Sequence, residues 1–145
     1  MEGKRVINGT WGQAWLDGDL LAECTAVQAK VTLVKADVNF CGDLWKKTKV
    51  TGLEGKGQLK LNKISSRMLL KVNENIKKGK ETVCTLIVKL ADPDSFGAER
   101  IVLKNVLIDE LTLMDFEAKK NIEETVPFTF SGWDVLDTIA VPTSL

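Results

Sequence analysis

The sequence predicts an α+β fold that is mainly β, with one helix laid against the face or end of a sheet. Three observations predict it. A single stretch places Ile64, Met68, Leu69, Val72 and Ile76 on one face at helical spacing. Nearly everything else alternates apolar and polar residues with period two, or is punctuated by turn residues. The 145 residues are enough to bury one core and correspond to a single domain, 1–145.

The helix is expected at about 64–79. Ser65 or Ser66 can cap its first turn, where backbone amides lack helical partners. Lys77 and Lys78 sit in the last turn, where positive charge meets the negative end of the helix dipole, and Gly79 provides a left-handed stop. Arg67, Lys71, Asn73, Glu74 and Asn75 are left for solvent.

Taken in order, Trp11–Leu16, Asp17-Gly18 and Asp19–Ala22 read as a hairpin, because Asp-Gly tolerates the positive φ angles of a two-residue turn. The second arm runs on. Val27, Ala29, Val31 and Leu33 alternate with Gln28, Lys30 and Thr32, and strand character persists to Phe40. One strand from Leu20 to Phe40 would span roughly 65 Å, more than a domain of this size holds, so it bends or projects. The chain at about 35–57 is therefore expected to be a long extended arm or loop. It carries Phe40, Leu44, Trp45 and Leu53 beside Lys46, Lys47 and Lys49. Long loops of this kind are often functional. Three readings stand: a nucleic-acid contact by stacking and phosphate pairing, a partner-binding arm, or a plain mobile loop.

Leu53–Asn62 is a strand with one wet face: Leu53, Leu59 and Leu61 with Gly55 and Gly57 oppose Glu54, Lys56, Gln58, Lys60 and Asn62. Beyond the helix, Thr82–Ala91 alternates, and Asp92-Pro93-Asp94-Ser95 is a turn. Arg100–Ile108 is apolar on both faces and reads as a central strand, or one covered by another subunit. Leu111–Phe116 continues the β character. In Asn121–Phe130, Ile122, Val126, Phe128 and Phe130 point one way and Glu123, Thr125 and Thr129 the other. Pro127, lacking an amide donor, belongs at an edge or on a non-bonding side. The tail, 131–145, has Trp133 and Leu136 as anchors and a frayed end beyond Pro142.

Composition excludes several functions. Twenty Lys and Arg balance twenty Asp and Glu, which argues against bulk-charge binding of nucleic acid or an anionic membrane. Histidine is absent, so the commonest proton carrier near neutral pH is missing. The acidic pairs Asp92/Asp94, Asp109/Glu110 and Glu123/Glu124 read as turns or solvated faces, and no nucleophile–base constellation is present. Cys24, Cys41 and Cys84 are an odd number at no metal spacing. No enzyme, cofactor or metal is expected. No apolar run spans a bilayer, and Met1–Thr10 is not a signal peptide.

Several stretches, in order, resemble the tail tube proteins of contractile phage tails, in particular those of defective prophages and phage-tail-like bacteriocins of Gram-positive bacteria. They are Ile7-Asn8-Gly9-Thr10, Leu16-Asp17-Gly18, Val38-Asn39-Phe40 with Gly42, and Thr51-Gly52 followed by Gly55 and Gly57. Lys63-Ile64-Ser65-Ser66, Lys77-Lys78-Gly79 and Gly97-Ala98-Glu99-Arg100-Ile101 follow. The most distinctive is Glu123-Glu124-Thr125-Val126-Pro127-Phe128-Thr129-Phe130, with Asp134-Val135 behind it. The resemblance implies an antiparallel β-barrel or sandwich with one flanking helix, six copies of which close a ring whose inner strands join into one barrel. Rings stack into a hollow tube, a conduit for DNA or a puncturing core. Implied partners are further copies, the sheath protein, the baseplate or tube initiator and the tape-measure protein. Assembly would occur in the bacterial cytoplasm, without a membrane anchor, before release in a virion or bacteriocin particle. Subunit-interface candidates are Phe40, Leu44, Trp45, Lys46, Lys47, Leu53, Val126, Pro127, Phe128 and Phe130. Lumen candidates are Glu54, Lys56, Gln58, Lys60, Glu123, Thr125 and Thr129, with the outer solvated face as their alternative, since alternation gives a face but not its direction. Two rival functions are a monomeric small-molecule-binding barrel and a carboxylate-dependent enzyme.

Overall fold

The computed structural model describes residues 1–143. Eight strands run β1 (Gly12–Leu16), β2 (Asp19–Leu20), β3 (Cys24–Val38), β4 (Lys47–Asn62), β5 (Val83–Leu90), β6 (Glu99–Ile108), β7 (Glu123–Phe130) and β8 (Gly132–Asp137), with helix α1 at Arg67–Lys77 between β4 and β5. All pairings are antiparallel, in the order β2-β1-β5-β6-β7-β4-β3, and β8 pairs with β6. The sheet curls around its core without closing: β3 is an edge strand, and β1 lies across from it without a ladder between them. Closure of the barrel is left undone at this seam.

Local chemistry sets the element ends. Asp17 (φ 50°) and Gly18 (φ 87°) form the tight turn between β1 and β2. Trp11 belongs to a 3-10 turn ahead of β1, whose Asn8 side chain accepts the Thr10 amide at 3.0 Å. Helix α1 is shorter than its periodicity suggested. Ile64 lies outside it and is exposed, and Ser66 stands at the N-cap without a side-chain bond. Its start is held instead by ion pairs, Arg67 to Glu23 at 2.8 Å and the adjoining Lys63 to the buried Glu124 at 3.3 Å. At its other end the Gly79 amide donates to Ile76 and the Lys80 amide to Asn75, a Schellman stop that needs the positive φ of Gly79. Met68 and Val72 are its buried residues.

The core gathers one face of each main strand: Ala14 and Leu16, Leu59 and Leu61, Cys84 and Leu86, Leu103 and Val106, and Val126, Phe128 and Phe130, closed by Met68. β6 is central, flanked by β5 on one side and by β8 and then β7 on the other, which accounts for its apolar character on both faces. Pro127 accepts from the Asp109 amide through its carbonyl at 2.9 Å. Its ring nitrogen faces the same side, past the end of β6, so the missing donor breaks no ladder bond.

Four expectations are corrected. The long second arm of the first hairpin is interrupted at 21–23, because Leu21 turns into the core and donates its amide to Ala14. Of the arm or loop expected at about 35–57, the loop alternative is corrected: β4 begins at Lys47 and pairs with β3 from Val38↔Lys47 to Cys24↔Leu61, leaving 39–46 as the connection of a paired arm. Leu111–Phe116 forms no strand, since beyond Ile108 it has no ladder partner. The tail contains β8, whose Trp133 and Leu136 stay half exposed rather than anchoring it; residues 144–145 of the expected frayed end lie outside the described residues.

Glycine is required at two places by close approach. A Cβ on Gly57 would lie 2.6 Å from the Phe128 ring and 2.2 Å from the Gln28 carbonyl, and one on Gly55 2.7 Å from the Phe130 ring. At Gly52, on the same strand but past the aromatic rings, the nearest atom would be 3.8 Å away. Gly57→Ala should therefore destabilise the fold by roughly 1–3 kcal/mol in denaturant titration. Gly52→Ala should change stability by less than about 1 kcal/mol.

Asp17 ties three elements: its carboxylate accepts the Thr85 amide at 2.8 Å and pairs with Lys71 of α1. Burial pushes this carboxyl up, but the hydrogen bonds from Lys71 and Thr85 and the lysine charge outweigh it, so its pKa lies below the ordinary 3.8. The hydrogen bond to Asp17 holds the Lys71 pKa above 10.5. The contact thus stabilises fully above the unfolded carboxylate value and is lost as pH falls through the lower folded one. At the alkaline side it is full below 10.5 and lost as pH rises through the folded lysine value. Because both groups are partly solvated, the effect is small, about 1 kcal/mol or less. Asp17→Asn should lower stability at pH 7 and flatten the acid limb of a stability–pH curve below about pH 4.

Candidate assembly surface

The β3–β4 hairpin outruns the sheet. β7 accompanies β4 from Asn62↔Glu123 only to Gly55↔Phe130, whereas β3 and β4 stay paired to Val38↔Lys47. The seven pairs from Thr32↔Glu54 outward form an arm of about 20 Å, at ~3.3 Å per residue, with strand only on its inner edges. Its end is shaped by the Asp43 carboxylate, which accepts the Trp45 amide at 2.9 Å and pairs with Lys47 at 3.0 Å. The Trp45 amide bond and Lys47 hold the Asp43 pKa below its usual value. Gly42 takes a positive φ, 82°, and Lys47 lies 5.4 Å over the Phe40 ring. Lys46 pairs with Asp37 at 3.5 Å.

This tip holds its apolar side chains out. Leu44 is fully exposed, Trp45 80% and Phe40 58% exposed, and Leu53, farther back on the arm, 60%. Monomers rarely leave such groups together in water, and exposed apolar groups of this size mark contact sites. A second exposed group lies on the connection from β6 to β7, where Leu113, Met114 and Phe116 are each more than 70% exposed. The sequence signal for it was present as β-like apolar content; what was not legible was that no strand would cover it.

The interface candidates from β7 divide differently. Val126, Phe128 and Phe130 are buried at 3%, 0% and 5%, packed on Leu59, Gly57 and Gly55 of β4. Their alternation marked the face that covers this chain's own core, so they present no side chain to a neighbour. Pro127 is half-buried on the opposite face.

The polar candidates come together. Register places Lys56 opposite Thr129, Lys60 opposite Thr125 and Asn62 opposite Glu123, with Gln58 beside Pro127. All lie on the face of the β3–β4–β7 sheet that turns away from the core. β3 adds Gln28, Lys30 and Thr32, opposite Gln58, Lys56 and Glu54. These three were visible as a polar alternation, but the sequence did not show which strand would lie beside them. Charge on the face is mixed: Glu54 pairs with Lys56 at 3.0 Å, raising the lysine pKa, and Thr25 bridges Lys60 and Glu123. Thr129 donates to Asp109 at 2.7 Å. No group of three or more metal-binding side chains is assembled among the described residues, and no described helix is long and apolar enough to cross a membrane.

At the open seam, Gly9, Gly12, Gln13, Cys24, Val27 and Leu90 border an opening of about 470 Å³ between β1, β5 and β3. Cys24 and Cys84 have pKa values raised by burial, Cys41 is exposed at the arm tip, and all three thiols are free.

The chain is similar to proteins of known family and structure. A family model described as phage tail tube protein matches residues 1–137. The phage-like element PBSX protein XkdM of Bacillus subtilis (strain 168) is 31% identical over 142 residues, covering 97% of each chain. Two solved assemblies share the fold at low identity. A chain of the anti-feeding prophage tube-terminating cap aligns with TM-score 0.74 and 8% identity over 95% of each chain. One from the sheath–tube complex of an extracellular contractile injection system aligns with TM-score 0.72 and 9% identity, covering 91% of this chain and 92% of the other. With a family match over almost its whole length and a relative above 30% identity, this chain belongs to the phage tail tube protein family.

Proposed function

We propose that this chain is the structural subunit of a tail tube, acting through geometry rather than chemistry. Six copies close a ring, and rings stack into a hollow tube that serves as a conduit or puncturing core. The observation that carries this reading is the unclosed sheet: β3 leaves a long edge unpaired while the chain belongs to a tube family. Unpaired edges invite pairing with another chain, and heterologous contacts of this kind generate rings and fibres. The polar face bearing Glu54, Lys56, Gln58, Lys60, Glu123, Thr125 and Thr129 is assigned to the lumen. Its mixed charge suits a channel that must not hold what passes through it. Sheath, baseplate and tape-measure proteins are the proposed partners, in keeping with the sheath–tube complex to which one structural neighbour belongs. Assembly in the bacterial cytoplasm and release in a particle complete the reading.

Negative-stain electron microscopy of the purified protein, dilute and concentrated, tests it. Hollow rings or stacked tubes are expected. Small particles at every concentration would favour a monomer with a ligand at the seam opening, whose volume falls within the range of small-molecule sites. Trp45→Ala should weaken assembly by about 2 kcal/mol or more, measured by sedimentation. It should leave unfolding free energy within about 0.5 kcal/mol of the unmodified chain, since the side chain is exposed.

A further inference from the structure

The two exposed apolar groups lie at opposite ends of the same sheet. β4 runs from the arm tip at Lys47 to Asn62, and Asn62 pairs with Glu123 at the start of β7. Beyond Ile108 the chain runs alongside β7 but opposite to it, in the direction of β4: the Asp109 amide bonds to the Pro127 carbonyl, and Glu110, Thr112 and Asp115 border one hollow with Glu123 and Thr125. The connection leaves the sheet beside Lys56 and Gln58 and continues toward Asn62, so tip and connection are separated by roughly 30 Å or more along β4.

Their chemistry is complementary. Residues 35–49 carry four lysines against two aspartates, around Phe40, Leu44 and Trp45. Residues 109–117 carry Asp109, Glu110, Asp115 and Glu117 and no base, around Leu113, Met114 and Phe116. Glu110 and Asp115 form no ion pair among the described residues, while the tip is fixed in shape by Asp43. A basic apolar end faces outward from one pole and an acidic apolar end from the other. Buried apolar groups supply affinity in such contacts, and opposite charge fixes partner and register.

We propose that residues 109–117 are the receiving site for the arm tip of a second copy. The contact is head-to-tail and heterologous, so it does not close on itself but repeats along the strand direction. Every copy then points the same way. The inference deepens the tube reading and rests on it: it assigns the contact between successive rings, leaving the sheet edges for contacts within a ring.

Photo-crosslinking of the full chain separates the two ideas. Leu44→p-benzoylphenylalanine is irradiated in concentrated protein, products are mapped by mass spectrometry, and the sample is viewed by electron microscopy. Links to residues 109–117 of another copy are expected. Links to another segment of another copy, or tubes without inter-copy links at the tip, overturn the receiving site while leaving the tube intact. Neither tubes nor inter-copy links would overturn both. A charge exchange adds an independent check. Glu110→Lys with Asp115→Lys, and separately Lys35→Glu with Lys49→Glu, which form no ion pair among the described residues, should each raise the concentration needed for assembly roughly tenfold or more, through like-charge contact. Mixing the two variants should restore assembly, because each then meets opposite charge. Assembly unaffected by reversal at 110 and 115, or unrestored on mixing, overturns the inference.

Discussion

The packing of Phe128 and Phe130 onto the backbone of β4 fixes most of the architecture. The two rings, 6.2 Å apart and tilted, lie over Gly57 and Gly55, where no side chain could fit beneath them. Glycine weakens a strand by itself, yet here its missing side chain lets aromatic surface reach the sheet. The result locks the β4–β7 register, seals the core at that side and marks where the body stops. Beyond Gly55 no ring covers the hairpin, and the arm begins.

From that constraint follows a division between surfaces used within the chain and surfaces left over. β7 spends its apolar face on the core, so its alternation contributes nothing to a partner. β3 and β4 do the opposite at their outer ends, where the same face continues past the body with nothing on it. The unclosed seam and the bare β3 edge add unpaired backbone to unburied side chains. A chain that leaves both presents edges and side chains suited to pairing with another chain, in keeping with the proposed tube subunit.

Ionic contacts refine this frame rather than drive it. Asp17 with Lys71, Glu23 with Arg67 and Glu124 with Lys63 clamp α1 and its approach against the strands at the end away from the arm. They are partly buried and local, and they hold the pole at which the acidic 109–117 connection emerges. The arm tip has its own small network around Asp43. Each pole is thus held in shape by contacts within the chain.

The sequence by itself determined what depends on near neighbours along the chain. The Asp17-Gly18 turn and the Gly79 stop follow from which residues accept positive φ. The existence of α1, and the faces of β5 and β7, follow from periodicity of 3.6 and 2. The family followed from the ordered wording of the whole chain. Only the tertiary structure decided what depends on distant pairing. Residues 35–52 could be an extended arm or a loop until β3 is laid beside β4, because their own residues do not show which strand pairs with them. Val126, Phe128 and Phe130 read as contact residues or core residues with equal ease, since alternation defines a face and not what lies against it. Glu54, Lys56, Gln58 and Lys60 share one face with Glu123, Thr125 and Thr129 only because β4 and β7 pair in that register. Leu113, Met114 and Phe116 are left exposed because β6 ends at Ile108, a boundary set by its neighbours rather than by its own residues.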